Sequence, residues 1–300
     1  GNYNIAIGED SFGGTCTGNY NIGIGKETFD ALTSGTDNIA IGRSAANNAT
    51  TGGYNNILGR SAGYNLTTGT NNTILGNSAA TNLTTGTYNV AIGDQALAGG
   101  SGSNVTGGNN IAIGNQAGYD ISSGELNTCI GYSAGANITT SNHNTCLGRE
   151  AGNNITTGAS NLVLGTFAAA SSATVSNEIT LGDANISTLR CQVTSITALS
   201  DRRDKTDINT LDLGLNFINA LNPVKFKWNS REGILKDGSY EAGFIAQDFQ
   251  ESQKDFNAEY LNLVLDTNPE KLEAAPGKLI PIMVQAIKEL SAKVKALEAA

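Results

Sequence analysis

A glycine preceded by Ile or Leu recurs through the first two thirds of the chain, and this periodicity constrains the fold more than any other feature. Every spacing is 17 residues except one of 21, whose extra residues fall in the Gly- and Ser-rich stretch 99–104, which we interpret as a loop insertion. A fixed period of this length predicts a solenoid, in which each coil buries its apolar face only by stacking on its neighbours. The glycines are Gly8, Gly25, Gly42, Gly59, Gly76, Gly93, Gly114, Gly131, Gly148, Gly165 and Gly182.

Further positions are fixed within each repeat. Asn stands four residues before the glycine in every copy except the last, which has Glu178, and a small residue, usually Ala, stands three residues after it. A second glycine follows ten residues after the first in most copies, with Ser141 as an exception. Apolar residues precede the first glycine and recur seven residues after it. We therefore expect two short strands per coil, glycines at positive-φ corners, and a ladder of Asn amides that caps backbone groups.

The repeats offer only a thin apolar core. With 37 Gly, 15% charged and 6% aromatic residues, the chain is too poor in large side chains for a large globular core and too low in charge for disorder. Thin coils are commonly stabilised by oligomerisation. The motif N-x-A-I-G-x-x-A resembles the head repeat of trimeric autotransporter adhesins and of related phage fibre shafts. This resemblance implies a left-handed parallel β-roll, assembled as a homotrimer, over residues 1–190.

Chemically reactive side chains are few in the repeats. Cys129 and Cys146 share the position two residues before the glycine, where other copies have Ala or Ile, and we expect buried, reduced thiols. The lack of a CxxC motif and the single His143 argue against a metal site, and no cofactor is expected. Rows of Thr-Thr-Gly are either structural or a flat surface for carbohydrate or ice. Acidic residues near the start are interpreted as a solvated face: Glu9, Asp10, Glu27, Asp30 and Asp37.

Overall charge and hydropathy exclude two classes of partner. The net charge of −9 disfavours nucleic acid, because binding to phosphates needs clustered Lys and Arg. The sequence has no apolar run of about 18 residues, so no membrane insertion is expected. Because the chain starts inside the repeat pattern at Gly1, we expect it to be a fragment of a longer protein.

The composition changes at residue 200. All four Pro, the single Trp228 and the single Met283 lie beyond this point, whereas all four Cys lie before it. The pattern predicts a helix over 215–221, a strand over 224–228, and a buried sheet followed by a helix start at 243–248. A heptad seam compatible with a three-stranded coiled coil over about 278–299 is formed by Ile280, Met283, Ile287, Leu290, Val294 and Leu297.

Three motifs in order support a second resemblance. They are the S-D-x-R-x-K motif at 200–205, the block G-F-I-A-Q-D at 243–248, and the closing coiled coil. The region is similar to the intramolecular chaperone domain found at the C-termini of phage tail spikes, tail fibres and endosialidases, a self-cleaving serine peptidase family. The resemblance implies that the domain trimerises, templates the folding of the preceding fibre, and is released by cleavage between Leu199 and Ser200.

The residues of the first motif suit this chemistry. Ser200 is the candidate nucleophile against the carbonyl of Leu199, and it needs a base. Since the domain has no His, Lys205 is the candidate base, provided that burial or the nearby Arg203 favours its neutral amine. Asp201 either orients Lys205 or Ser200, or is a turn residue; the sequence leaves both roles open.

These observations predict a mostly β protein: a trimeric parallel β-solenoid of 17-residue repeats at 1–190, a linker strand at 191–199, and a small α+β domain at 200–300 that ends in a trimeric coiled-coil helix. The expected function is that of a homotrimeric phage tail fibre or spike segment. It would belong to the virion, assemble in the host cytoplasm, and attach to a host cell-surface receptor of carbohydrate type. The alternatives are a trimeric bacterial surface adhesin, a polysaccharide depolymerase and an ice-binding solenoid.

Overall fold

The computed structural model describes residues 1–190, 192, 200–229 and 238–300. The chain forms two compact units, Gly1–Ala184 and Asn185–Ala300. Cys191, Leu199 and most of the linker strand predicted at 191–199 lie outside the described residues.

The first unit is a parallel β-solenoid of about ten turns, as the repeat predicted. Each repeat contributes one strand of three residues, and the strands pair in sequence order and in register, so that Ile57 lies beside Ile74. With about 4.8 Å between neighbouring strands, the eleven strands extend over about 48 Å. They are Ile5–Ile7 (β1), Ile22–Ile24 (β2), Ile39–Ile41 (β3), Asn56–Leu58 (β4), Thr73–Leu75 (β5), Val90–Ile92 (β6), Ile111–Ile113 (β7), Thr128–Ile130 (β8), Thr145–Leu147 (β9), Leu162–Leu164 (β10) and Ile179–Leu181 (β11).

Three inward-facing columns of side chains form most of the core of the solenoid, and the position four residues after the glycine adds Phe29, Ala46, Ala80 and Leu97. The first is the middle residue of each strand, which is buried in β3 to β10, because side chains alternate between the two faces of a strand. The second is the small residue three positions after the glycine, such as Ala62. The third is the Leu or Ile seven positions after it, such as Leu66. The first and third residues of each strand point outward and are half-buried or exposed.

The expectation of two strands per coil is wrong within the described residues. The half-coil after the glycine consists of turns, because Ser44 and Ala46 adopt positive φ values of 56° and 47° and so cannot be extended. Its backbone nevertheless bonds to the next coil, since the Ala46 N–H donates to the Ala62 carbonyl at 2.9 Å. The predicted core position at Leu66 is buried, but it directly follows the turn at 61–65 and is not part of a strand.

The two glycine columns have different physical causes. The first glycine takes a positive φ, as predicted; Gly59, for example, has a φ of 141°. The second glycine does not have a positive φ, so the predicted corner role is wrong for this column. A Cβ on Gly52 would instead lie 2.3 Å from the carbonyl oxygen of Gly69 in the next coil. At Gly52 the next coil therefore lies too close for a Cβ, which explains the glycine at this position.

The predicted Asn ladder is confirmed. The side-chain amide of Asn72 donates to Oδ1 of Asn55 and to the carbonyl of Gly86, both at 3.0 Å, and Asn72 is fully buried. Its own Oδ1 accepts the backbone N–H of Asn89 at 2.9 Å. The same pattern recurs along the solenoid, so that each Asn links its coil to the coils on either side.

The ladder ends at Glu178, the one departure from Asn. Its backbone N–H still donates to Oδ1 of Asn161 at 3.0 Å, as the Asn residues do. Its carboxylate has no hydrogen to continue the ladder and instead accepts the backbone N–H of Ser171 at 2.8 Å. A carboxylate, which only accepts hydrogen bonds, therefore suits the repeat at which the Asn ladder ends.

Threonine hydroxyls add a second set of bonds between coils. Thr33, Thr50 and Thr67 each donate to the carbonyl of the equivalent residue in the next coil at 3.0 Å. These hydroxyls are used within the fold, which favours the structural interpretation of the first Thr in each Thr-Thr-Gly row.

The second unit is a small α/β region with a C-terminal helix. Its core contains Phe217, Phe249, Leu263 and Ile282. The predicted helix at 215–221 and strand at 224–228 are present, although the strand ends at Phe226. The elements are Leu215–Ala220 (α1), Val224–Phe226 (β12), Glu241–Gly243 (β13, antiparallel to β12), Ala246–Asp255 (α2), Val264–Leu265 (β14), Glu273–Ala274 (β15, antiparallel to β14) and Ile280–Glu298 (α3), which follows a 3-10 turn at Pro276–Leu279. No helix in the described part of the chain is long and apolar enough to cross a membrane.

Candidate active site

A short turn brings together the two residues proposed for proton transfer. A 3-10 turn at Arg202–Asp204 reverses the chain between Ser200 and Lys205. As a result, Nζ of Lys205 lies 2.5 Å from Oγ of Ser200 and 3.5 Å from the Ser200 carbonyl oxygen. The turn begins at Asp201, whose carboxylate accepts the Arg203 backbone N–H at 2.8 Å and so acts as its N-cap.

The Asp201 carboxylate is used by Arg203 rather than by Ser200 or Lys205. The guanidinium group of Arg203 donates to both carboxylate oxygens, with Nη2 at 2.6 Å from Oδ2. The side-chain and backbone hydrogen bonds from Arg203 lower the pKa of Asp201, and the bond to Asp201 raises the pKa of Arg203. Of the two roles left open by the sequence, this geometry matches the turn residue. The charge of Arg203 is largely compensated by its partner.

All four side chains of the motif are exposed in the single chain, so the burial considered for Lys205 is not present there. A neutral Lys205 amine at this distance could take the proton of the Ser200 hydroxyl. The carbonyl to be attacked belongs to Leu199, which precedes Ser200 directly but lies outside the described residues. The described part of the site therefore holds a serine hydroxyl beside a lysine amino group, on a capped turn.

The other residues singled out from the sequence belong to the solenoid unit. Cys129 and Cys146 are register partners in β8 and β9, and both are buried and free. The hydrogen bond to Cys146 and burial raise the pKa of Cys129, so its thiol is a poor nucleophile. His143 is exposed, and Glu9 forms an exposed ion pair with Lys26 at 3.2 Å. The described residues contain no group of three or more potential metal-ligating side chains.

Helix α3 has two apolar faces. Ile282 and Ala286 are buried in the core of the unit. The predicted heptad seam lies on the remaining surface and is exposed, from 45% at Val294 to 78% at Leu297. A surface helix of a stable monomer needs only one apolar face, the one that packs against the core. The seam is thus available for a partner helix.

A carboxylate that the sequence did not indicate fixes α1 to α3. Glu289 Oε2 accepts the backbone N–H of Leu215, the first residue of α1, at 2.8 Å, and Oε1 accepts an amide hydrogen of Gln285 at 3.0 Å. These two bonds, in that order, lower the pKa of Glu289. Because its main partner is 74 residues away in sequence, no local pattern could have revealed this role.

Comparison with known families agrees with the position of this motif. Residues 200–257 match the family described as chaperone of endosialidase, and the match begins at Ser200. The match supports a C-terminal intramolecular chaperone domain of the kind found in phage tail fibres. No curated protein and no solved structure matches the chain. A chaperone domain of this family next to a β-solenoid shaft fits a phage tail fibre, and the family indicates a phage-associated protein.

Proposed function

We propose that the chain is a segment of a homotrimeric phage tail fibre for host attachment, whose C-terminal domain aligns three chains and then cleaves itself off between Leu199 and Ser200. The observation that carries this proposal is the junction itself. A chaperone-family match starts at Ser200, shortly after the solenoid unit ends at Ala184, and the hydroxyl of that serine lies 2.5 Å from a lysine amine.

An outward apolar stripe on the solenoid supports the trimer. The residue before the first glycine is Ile or Leu in all eleven repeats, and none of these side chains is buried. Leu58 and Leu75 are 46% and 42% exposed. A continuous apolar stripe of this length is unusual on a monomer and marks an interaction surface. Three chains around one axis would bury it, giving each thin coil a second core.

The exposed seam of α3 supports the same stoichiometry. Mixed Ile, Leu, Val and Met at the core positions are compatible with three strands. The seam lies in the domain that would have to assemble first during folding of the fibre, because parallel solenoid chains can align in many registers. A slip of one 17-residue repeat restores nearly the same pattern of side chains. A C-terminal trimer that forms early would fix both the number of chains and their register before the slow pairing of the shaft.

The cleavage step is an acyl transfer within one chain. Oγ of Ser200 attacks the carbonyl carbon of Leu199, and the hydroxyl proton passes to the neutral amine of Lys205. The carbon–nitrogen bond breaks, the amino group of Ser200 takes up a proton, and an ester joins Leu199 to the serine oxygen. Water then hydrolyses the ester, which leaves a carboxylate on Leu199 and restores the hydroxyl of Ser200. Removal of the template would make the shaft hard to refold and therefore kinetically stable.

Intact mass and a denaturing gel test the cleavage. The wild-type chain is expected to release a piece that begins at Ser200, whereas Ser200→Ala stays whole. Lys205→Arg is the sharpest control for the base, because arginine keeps the positive charge and donor groups but does not lose its proton. It is expected to stay whole as well. Cleavage that continues in Lys205→Arg would remove the lysine from the mechanism, and a wild-type chain that stays whole would refute self-cleavage.

A further inference from the structure

A row of tyrosines along the solenoid is not explained by folding. The residue directly before the ladder position, which holds Asn in ten repeats and Glu178 in the last, has a positive φ between 58° and 62° in all eleven repeats. Asn and Asp tolerate this conformation best, and they occupy the position at Asp37 and Asn71. Tyr20, Tyr54 and Tyr88 are bulky and disfavoured there, and each ring is 57–59% exposed. These rings contribute little to the core of the solenoid.

The rings of Tyr3 and Tyr20 face along the solenoid. Tyr3 and Tyr20, one coil apart, stack with an interplanar angle of 4° and a centroid distance of 5.1 Å. The other face of Tyr20 is therefore directed towards Tyr54, two coils further on and about 9.6 Å away. The residue between them is the shorter Asp37.

The same sequence order recurs one step later, with Asn71 between Tyr54 and Tyr88. We name these two sites the tyrosine slots: Tyr20–Asp37–Tyr54 and Tyr54–Asn71–Tyr88. Each slot has an aromatic residue on two sides and an exposed hydrogen-bonding side chain at its base.

We propose that the tyrosine slots bind terminal pyranose residues of a neutral host glycan; this inference rests on the proposed role in host attachment. The size of the slot favours a sugar over a flat ring. A flat guest in contact with both tyrosines would span only about 7–8 Å, from two carbon contacts of 3.5–4.0 Å. A pyranose chair is puckered and carries hydrogens on both faces, so it fills the remaining space and presents C–H groups to both rings.

The orientation and charge of the tyrosine slots restrict the class of sugar that they can bind. A sugar inserted edge-on between two tyrosine rings can be linked to the rest of its glycan on one side only. The slots therefore select terminal or branch residues. Their single charge is the carboxylate of Asp37, and the neighbouring Thr36, Thr70 and Thr87 are uncharged. A hydroxyl-rich neutral sugar suits this lining better than an anionic one.

Several weak slots would act together in the proposed assembly. Each chain offers two slots, and three chains would offer six along one shaft. Multivalent binding raises the overall affinity for a surface coated with repeated glycan ends, without any new contact. A modest affinity at each slot is therefore sufficient for attachment.

Filling the slots tests the proposal while leaving every native tyrosine in place. The probes are the methyl glycosides of glucose, galactose, mannose and N-acetylglucosamine, with methyl glucuronide as the anionic probe. Binding to the full chain is measured by saturation-transfer NMR and titration. At least one neutral glycoside is expected to bind better than the glucuronide. The double variant Asp37→Tyr/Asn71→Tyr places a ring in each slot and is expected to weaken binding by about tenfold or more, because the sugar loses its stacking faces.

The control is Tyr132→Asn, which removes a half-exposed shaft tyrosine outside the row and is expected to leave binding unchanged. The inference is overturned if no neutral glycoside binds, if binding persists in the slot-filled variant, or if the glucuronide binds as well as the neutral probes. Loss of assembly in the slot-filled variant would also overturn it, because the row would then lie between copies. A wild-type chain that assembles and cleaves itself but binds no glycoside refutes the slots alone and leaves the proposed function standing.

Discussion

Asn72→Ala should destabilise the solenoid around its own coil far more than a surface substitution. The change removes the Oδ1 that accepts the Asn89 N–H at 2.9 Å and the amide that donates to the Gly86 carbonyl at 3.0 Å. Asn72 and Asn89 are both fully buried. Leaving a buried donor and a backbone acceptor unsatisfied costs about 1–3 kcal/mol each, so we expect a loss of about 2–6 kcal/mol.

Native-state hydrogen exchange measures this loss directly, because a repeat array does not unfold as a single two-state unit. The backbone amide of Asn89 should exchange faster by an amount equivalent to that free energy, while coils several repeats away change little. The control is Asn71→Gly, next in sequence: Asn71 is exposed, and its φ of 59° suits glycine. An Asn89 amide that keeps its full protection in Asn72→Ala, or equal losses in both variants, would refute the account of the ladder.

Three other outcomes follow from the geometry. Gly52→Ala should destabilise the shaft by about 1–3 kcal/mol, seen as a lower melting temperature, because its Cβ would lie 2.3 Å from the carbonyl oxygen of Gly69; a wild-type melting temperature would contradict this. The pKa of Glu289 is lowered in the folded state. Its hydrogen bonds therefore stabilise the C-terminal unit at pH values above 4.5, the ordinary pKa of a glutamate, and this stabilisation is lost as the pH falls below that value. Glu289→Gln, which keeps an acceptor for Leu215, should reduce this acid sensitivity of the C-terminal unit, and an unchanged pH profile would exclude the contact. Leu75→Asp should reduce the mass of the assembled species in solution, and an unchanged mass would remove the outward stripe from the interface.

The sequence was sufficient to predict the solenoid because the same residue types recur at the same positions of every repeat. The period gave the pairing of Ile57 with Ile74, and the Asn column gave the ladder, since a buried amide repeated at one position needs partners above and below it. The second strand could not be excluded from sequence, because Leu66 is an apolar core residue whether its backbone is extended or turned. Only the positive φ values of the half-coil, such as that of Ala46, decide between the two.

The geometry of the candidate site could not be predicted from residue types and spacing alone. A Ser and a Lys five residues apart do not meet in most conformations, and the 2.5 Å contact between Ser200 and Lys205 depends on the turn capped by Asp201. Asp201 and Arg203 suit both a catalytic and a structural role by type, and only the geometry pairs them with each other. The contact of Glu289 with Leu215 depends on tertiary packing alone, so no sequence pattern marks it.

In the proposed assembly, three copies of this chain associate through the C-terminal unit and the outward stripe. Native mass spectrometry of the uncleaved 300-residue Ser200→Ala chain tests this most directly, because the shaft and the C-terminal unit cannot separate by the proposed cleavage. The account predicts a single species of three times the 30.9 kDa of one chain. A folded species of 30.9 kDa, with the seam of α3 and the stripe still open to solvent, would contradict it.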